Sequence, residues 1–206
     1  DLAGDSKLDQ ESFLLEPVSI EDLRNSRSTR NFWCVTEKGC WSAAGVSAEQ
    51  EAARFTPEQD ESVLTAGFLW QSVRRTSKRY GLQAELISFV PPDENVEILE
   101  VRITNRDTSP QNVTGIAAVP IYGRSADNLR DHRNVTSMLH RIQTTECGVQ
   151  VKPTMSFDEK GHRENRRIYY VCGVSGNGGA PAGFYPTVQE FTGEGGTLLH
   201  PRAVYE

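Results

Sequence analysis

Fifteen residues, 127–141, gather three arginines, two histidines and two asparagines: Arg130, Arg133 and Arg141, His132 and His140, Asn128 and Asn134. A guanidinium gives two aimed hydrogen bonds to a phosphate or a hydroxyl pair, and Asn and His add the donors and acceptors that fix a sugar. The segment therefore has the composition of a polar loop over a sugar or phosphate site. It has equally the composition of a solvated loop or edge strand, because Asp127 and Asp131 stand beside the arginines and their charges can pair. Trp33 and Trp41 pose a similar choice. An exposed indole is a platform for a sugar ring, whereas a β sandwich needs aromatic side chains in its core.

Other chemistries leave little trace. There is no Gly-x-Ser-x-Gly elbow, no His-Glu-x-x-His helix, and no metal-ligand spacing among the four histidines. The five glycines of 173–183 mark a loop, and no Gly-Lys-Ser/Thr follows to make it a phosphate loop. Carboxylate pairs stay open, since 28 acidic residues are scattered along the chain and their spatial neighbours are invisible in a sequence. Cys34 and Cys40 flank a hairpin turn at 37–39, where cross-strand thiols would oxidise if the compartment allowed it. Cys147 and Cys172 stand alone in the sequence, so a zinc site is not expected, and all four cysteines are read as structural free thiols. Asn112 and Asn134 each open an Asn-x-Thr sequon, which carries little weight without a secretion signal.

The elements that must position these residues are strands. Leu82, Ala84 and Leu86 alternate with Gln83 and Glu85, and Leu99, Val101 and Ile103 alternate with Glu100, Arg102 and Thr104. The Pro-Pro-Asp-Glu-Asn run at 91–95 and the turn at 105–110 bound these segments, and a third follows at 113–121. The region predicts a three-stranded meander with one dry face. Short strands are expected at 31–34 and 39–42, one or two more within 58–79, and others at 148–156 and 167–174. Helix signals are sparse; one short turn is expected at 18–24, with Ser19 as its cap. Strand upon strand without interleaved amphipathic helices argues for an antiparallel sandwich and against a parallel α/β sheet.

Composition agrees. The 206 residues are 37% hydrophobic and 24% charged, enough for one packed domain or one large sandwich. The net charge of −6 repels polyanions, so no nucleic-acid partner is expected. The longest apolar runs, such as 115–121, fall far short of the ~20 residues that span a bilayer, and residues 1–14 lack a signal-peptide layout. No membrane partner is expected, and a cytoplasmic location is.

The order of these segments resembles a known family. Arg-Asn-Phe-Trp-Cys-Val-Thr-Glu-Lys-Gly-Cys-Trp-Ser at 30–42 is similar to the opening hairpin of the N-terminal domain of the inverting glycoside phosphorylases related to cellobiose phosphorylase, of glycoside hydrolase family 94. The segment 80–90, the Val-Pro-Pro-Asp-Glu-Asn-Val-Glu-Ile run at 90–98, Val-Arg-Ile-Thr-Asn at 101–105 and the Arg133-Asn134 dipeptide follow in the family's order. The likeness spans roughly 30–204, and Val-Thr-Ser-Met-Leu-His-Arg at 135–141 looks closer to members acting on β-1,2-linked glucooligosaccharides than to cellobiose phosphorylase itself.

This resemblance implies an all-β fold: a large antiparallel supersandwich of the galactose-mutarotase-like kind over 30–206, preceded by an extension at 1–29 and incomplete at its C-terminus. It implies a missing (α/α)₆ barrel that holds the general acid and the phosphate site. The chain alone is then expected to be inactive and to carry no catalytic residue, with inorganic phosphate the co-substrate of the longer enzyme and no cofactor. A homodimer is implied, in which the polar loop reaches a sugar site; His132, Arg133 and Asn134 occupy the positions of the family's Gln-Arg-Asn. The alternative is a stand-alone carbohydrate-binding or mutarotase-like sandwich, which would need a His and a carboxylate converging on the ring oxygen and anomeric hydroxyl; no compelling pair stands out, and His132 and His140 are the candidates for the His.

Overall fold

The computed structural model describes residues 13–14, 30–119, 121, 124–125, 140–158, 161–164, 166 and 168–206. The chain divides into two compact units, Arg30–Ala118 with Thr192–Glu206, and Asp1–Thr29 with Val119–Phe191. The turn expected at 18–24 lies outside the described residues.

The first unit opens with the aromatic hairpin, β1 (Asn31–Thr36) and β2 (Gly39–Ser42). A short helix α1 (Ala48–Ala52) precedes β3 (Glu61–Gly67), β4 (Trp70–Ser77), β5 (Leu82–Phe89) and β6 (Ile98–Asn105), and β7 (Thr114–Ala118) closes the run. All pairings are antiparallel, in two sheets ordered β2-β1-β7 and β3-β4-β5-β6. Strand β5 is buried at alternate positions from Leu82, as its sequence alternation requires. Leu82, Ala84 and Leu86 meet Cys34 and Trp41 of the facing sheet and Ala43 just beyond it in one apolar cluster, with Phe32, Leu99, Val101 and Ile103 packed at its margin. Each fully buried large side chain here contributes roughly 1.5–3 kcal/mol of transfer free energy.

The expected meander is corrected at its third strand. β7 pairs with β1 in the opposite sheet and not with β6. Alternation in 113–121 reveals which residues face the core, but both sheets of a sandwich face the same core, so the pattern does not choose between them. The crossing is pinned where β6 ends. Asn105 Oδ1 accepts from the Asp107 backbone N–H at 3.0 Å and from Gln111 Nε2 at 3.0 Å. Gly81, at φ +64°, faces that connection so closely that a Cβ would lie 2.2 Å from Asp107 Oδ1, so a larger residue would be strained and would displace the Asp107 side chain.

The other face of the β2-β1-β7 sheet carries Trp33, fully buried, whose ring meets Tyr205 edge-on at 5.8 Å. Tyr205 belongs to the helix Arg202–Tyr205, and Cys40 Sγ donates to the Val204 carbonyl at 3.0 Å.

In the second unit β8 (His140–Thr144) and β9 (Gly148–Pro153) pair, a separate hairpin forms from β10 (Met155–Asp158) and β11 (Gly161–Glu164), and β12 (Tyr169–Cys172) returns to β9. The single strand expected at 148–156 is thus two, broken by a bend at Thr154. The end of the polar segment 127–141 is strand, since His140 and Arg141 begin β8 opposite Pro153 and Lys152.

Candidate functional site

His132, Arg133 and Asn134 lie outside the described residues. The segment's downstream anchor is described: His140, half-buried, starts β8 at the edge of the β8-β9-β12 sheet. Trp33 and Trp41 are 0% and 1% exposed, so both belong to the core. Trp70 is the tryptophan that reaches solvent, at 42%, its indole lying across Gly67 on the edge hairpin.

Three polar constellations are assembled among the described residues. The first surrounds α1. Ser47 caps this helix, accepting from the Gln50 backbone N–H at 3.1 Å and donating to Gln50 Oε1 at 2.9 Å, an N-cap that the sequence analysis did not single out. The cap directs Gln50 Nε2 to Asp60 Oδ2 at 2.8 Å, where Trp41 Nε1 also donates at 2.8 Å. Glu49 on the same helix accepts from the Tyr80 hydroxyl at 2.8 Å and pairs with Arg79. Burial first, then the hydrogen bond to Glu49, raises the Tyr80 phenol above its ordinary value. Burial lowers the pKa of Arg75, opposed by the attraction of Asp60, and Arg75 Nη2 donates to the Ala44 carbonyl at 3.3 Å. Each of these carboxylates accepts from two donors of the fold, an arrangement that holds α1 and the aromatic hairpin to the β3–β6 sheet.

The second constellation explains a motif. Arg30, Ser88 and Glu97 meet at the start of β1: Arg30 Nη1 donates to Ser88 Oγ at 3.1 Å and pairs with Glu97, and Ser88 donates to Glu97 Oε1 at 2.5 Å. The acidic end of the Val-Pro-Pro-Asp-Glu-Asn-Val-Glu-Ile run is thus a buried counter-ion, with side chains of Arg30 and Glu97 only 11% and 7% exposed.

The third constellation was invisible in the sequence. Cys172 at the end of β12 lies opposite Gly148, and Cys147 sits one residue before β9, so the two Sγ atoms are 2.9 Å apart. Tyr170 brings its hydroxyl within 3.1 Å of Cys147 Sγ and 2.6 Å of Thr145 Oγ1. The hydrogen bond from Cys172 first, and that from Tyr170 second, hold the Cys147 thiol below its ordinary value. Cys172 is held above its own, chiefly by the same hydrogen bond to Cys147. Cysteines 25 positions apart carry no spacing signal, and only the pairing of β9 with β12 unites them. All four cysteines are free thiols, and Cys34 and Cys40, the neighbours in sequence, lie on opposite faces of the first hairpin.

Among the described residues no group of three or more His, Cys, Asp or Glu side chains is placed to hold a metal ion, and no helix is long and apolar enough to cross a membrane.

Residues 30–206 match the family described as glycosyl hydrolase 94, supersandwich domain. The chain belongs to this family. The match begins at Arg30, the residue whose guanidinium pairs with Glu97. It makes the chain an all-β supersandwich domain of a glycoside phosphorylase family, and the antiparallel sheets of both units agree with it. Comparison with curated proteins returned no match.

Proposed function

We propose that this supersandwich domain is a non-catalytic part of an enzyme that cleaves β-linked glucooligosaccharides with inorganic phosphate. The observation that carries this reading is the family match across 30–206. In this reading the chain works with an (α/α)₆ barrel, within a homodimer in the cytoplasm. A phosphate oxygen attacks the anomeric carbon, a barrel carboxylic acid protonates the departing glycosidic oxygen, and the sugar phosphate leaves with inverted configuration. The sandwich lends dimer surface and its polar loop, where Arg133 takes a sugar hydroxyl pair or a phosphate and His132 and Asn134 take single hydroxyls. The wording at 135–141 favours β-1,2-linked substrates.

The test uses the complete polypeptide that carries this domain, incubated with β-1,2-glucooligosaccharides and inorganic phosphate and followed by phosphorus and proton magnetic resonance. The expected product is α-glucose 1-phosphate with loss of one sugar from the oligomer. Release of free glucose at a rate independent of phosphate would overturn the reading.

A further inference from the structure

We propose that Cys147 and Cys172 are a redox-active dithiol that closes to an intramolecular disulfide by exchange with a small-molecule disulfide. The two sulfurs already touch at 2.9 Å, across backbone strands held in register from Gly148↔Cys172 to Val151↔Tyr169. Gly173 donates its backbone N–H to the Cys147 carbonyl at 2.8 Å, which fixes Cys147 beside the end of β12. Gly148 permits this approach: a Cβ there would fall 2.0 Å from the Val171 carbonyl oxygen and 2.9 Å from the Cys172 Cα, so any larger residue would push the strands apart. Little movement separates the dithiol from the bonded form.

Access is the second requirement. Cys172 is exposed and Cys147 half-buried, so a dissolved disulfide can reach them. The environment also orders the steps. Tyr170 can donate its hydroxyl hydrogen to Cys147 while accepting from Thr145, and Cys172 donates to Cys147 as well, so negative charge gathers on the Cys147 sulfur. Cys147, as the thiolate, attacks one sulfur of the small disulfide, forms the mixed disulfide and expels one small thiolate. Cys172 then loses its proton to solvent and attacks the Cys147 sulfur, the bond to the small molecule breaks, and the second small thiolate leaves and is protonated. One small disulfide and two protein thiols become one protein disulfide and two small thiols. Tyr170 and Thr145 are positioning residues in this scheme. The product staples the start of β9 to the end of β12.

The experiment equilibrates the reduced full chain in glutathione buffers over roughly −320 to −150 mV, blocks remaining thiols with N-ethylmaleimide, and maps the peptides by mass spectrometry. The expected result is a 147–172 cross-linked peptide that grows as the buffer becomes more oxidising, while Cys34 is alkylated only after unfolding. Cys172→Ser should trap glutathione on Cys147, whereas Cys147→Ser should acquire glutathione on Cys172 about tenfold more slowly. Absence of the cross-link in the most oxidising buffer, with wild-type chain showing only glutathione adducts, would overturn the proposal. Equal rates in the two variants would overturn the assigned order of attack.

Discussion

Cys34 and Cys40 stand to each other in the strand ladder as Cys147 and Cys172 do, yet only the second pair meets. In the first hairpin Cys34 lies opposite Trp41 and Cys40 opposite Val35; in the second unit Cys172 lies opposite Gly148, and Cys147 is joined to Gly173 by a backbone hydrogen bond. Both pairs are diagonal neighbours, one step off register. Within β1 and β2 the pleat is unbroken, so the diagonal places Cys34 in the sandwich core and Cys40 on the opposite face, against Val204. Cys147 sits in the bend before β9, outside the pleat, and its side chain is free to turn toward Cys172. Register alone does not decide which side chains touch; the regularity of the strand at that residue does.

The same contrast separates their chemistry. Burial pushes the Cys34 thiol from 9.0 up to about 12. A thiol whose folded pKa is raised stabilises the fold below its ordinary pKa, and that contribution is lost as pH rises from 9.0 toward 12. The loss totals about 4 kcal/mol at completion, on the order of 1.4 kcal/mol for each pH unit. The largest expected effect is therefore alkaline. Between pH 9.0 and about 10.5, urea unfolding should show wild-type chain losing about 2 kcal/mol more than Cys34→Ala. The raised phenols of Tyr80 and Tyr205 act in the same direction but are common to both proteins. Parallel pH profiles would mean that Cys34 is not sealed in the core.

A smaller effect is expected on oxidation. Closing the Cys147–Cys172 bond restricts the unfolded chain and should raise the melting temperature by roughly 5–10 °C, reversed by reductant. Cys34→Ala should retain that shift and Cys172→Ser abolish it. A shift that survives Cys172→Ser would relocate the oxidation and remove the contrast between the pairs.

The smallest effect isolates the hydroxyl beside Cys147. Tyr170→Phe removes the second of the hydrogen bonds that lower the Cys147 pKa, so less thiolate exists at neutral pH and alkylation should slow about threefold. The melting temperature should not move, because Tyr170 is exposed on β12. Unchanged alkylation would assign the lowered pKa to Cys172 alone.

Legibility in the sequence followed the pleat as well. The alternation at 82–86 and 99–104, bounded by Pro, Asp and Asn, stands in the structure within the strands Leu82–Phe89 and Ile98–Asn105. The hairpin of β3 and β4 was harder to read because its two-residue connection is Phe68 and Leu69, with Leu69 at φ +61°, a conformation that Gly or Asn normally announces. The crossing of β7 to the other sheet carried no local signal, since it depends on contacts distant in sequence. The partnership of Arg30 with Glu97 was hidden for the same reason, although both residues lie in segments that resemble the family. The polar segment 127–141 was conspicuous by composition, and its position beside a site remains the substance of the functional proposal.

Within that proposal the role of the loop turns on Arg133, and one substitution addresses it directly. In the complete polypeptide, Arg133→Ala should lower kcat/KM for phosphorolysis by roughly thirty-fold to a thousand-fold, the equivalent of about 2–4 kcal/mol of lost transition-state binding. The melting temperature should stay where it is. An unchanged kcat/KM would contradict a site role for the loop, and a fall in activity matched by a large fall in melting temperature would assign Arg133 to the fold.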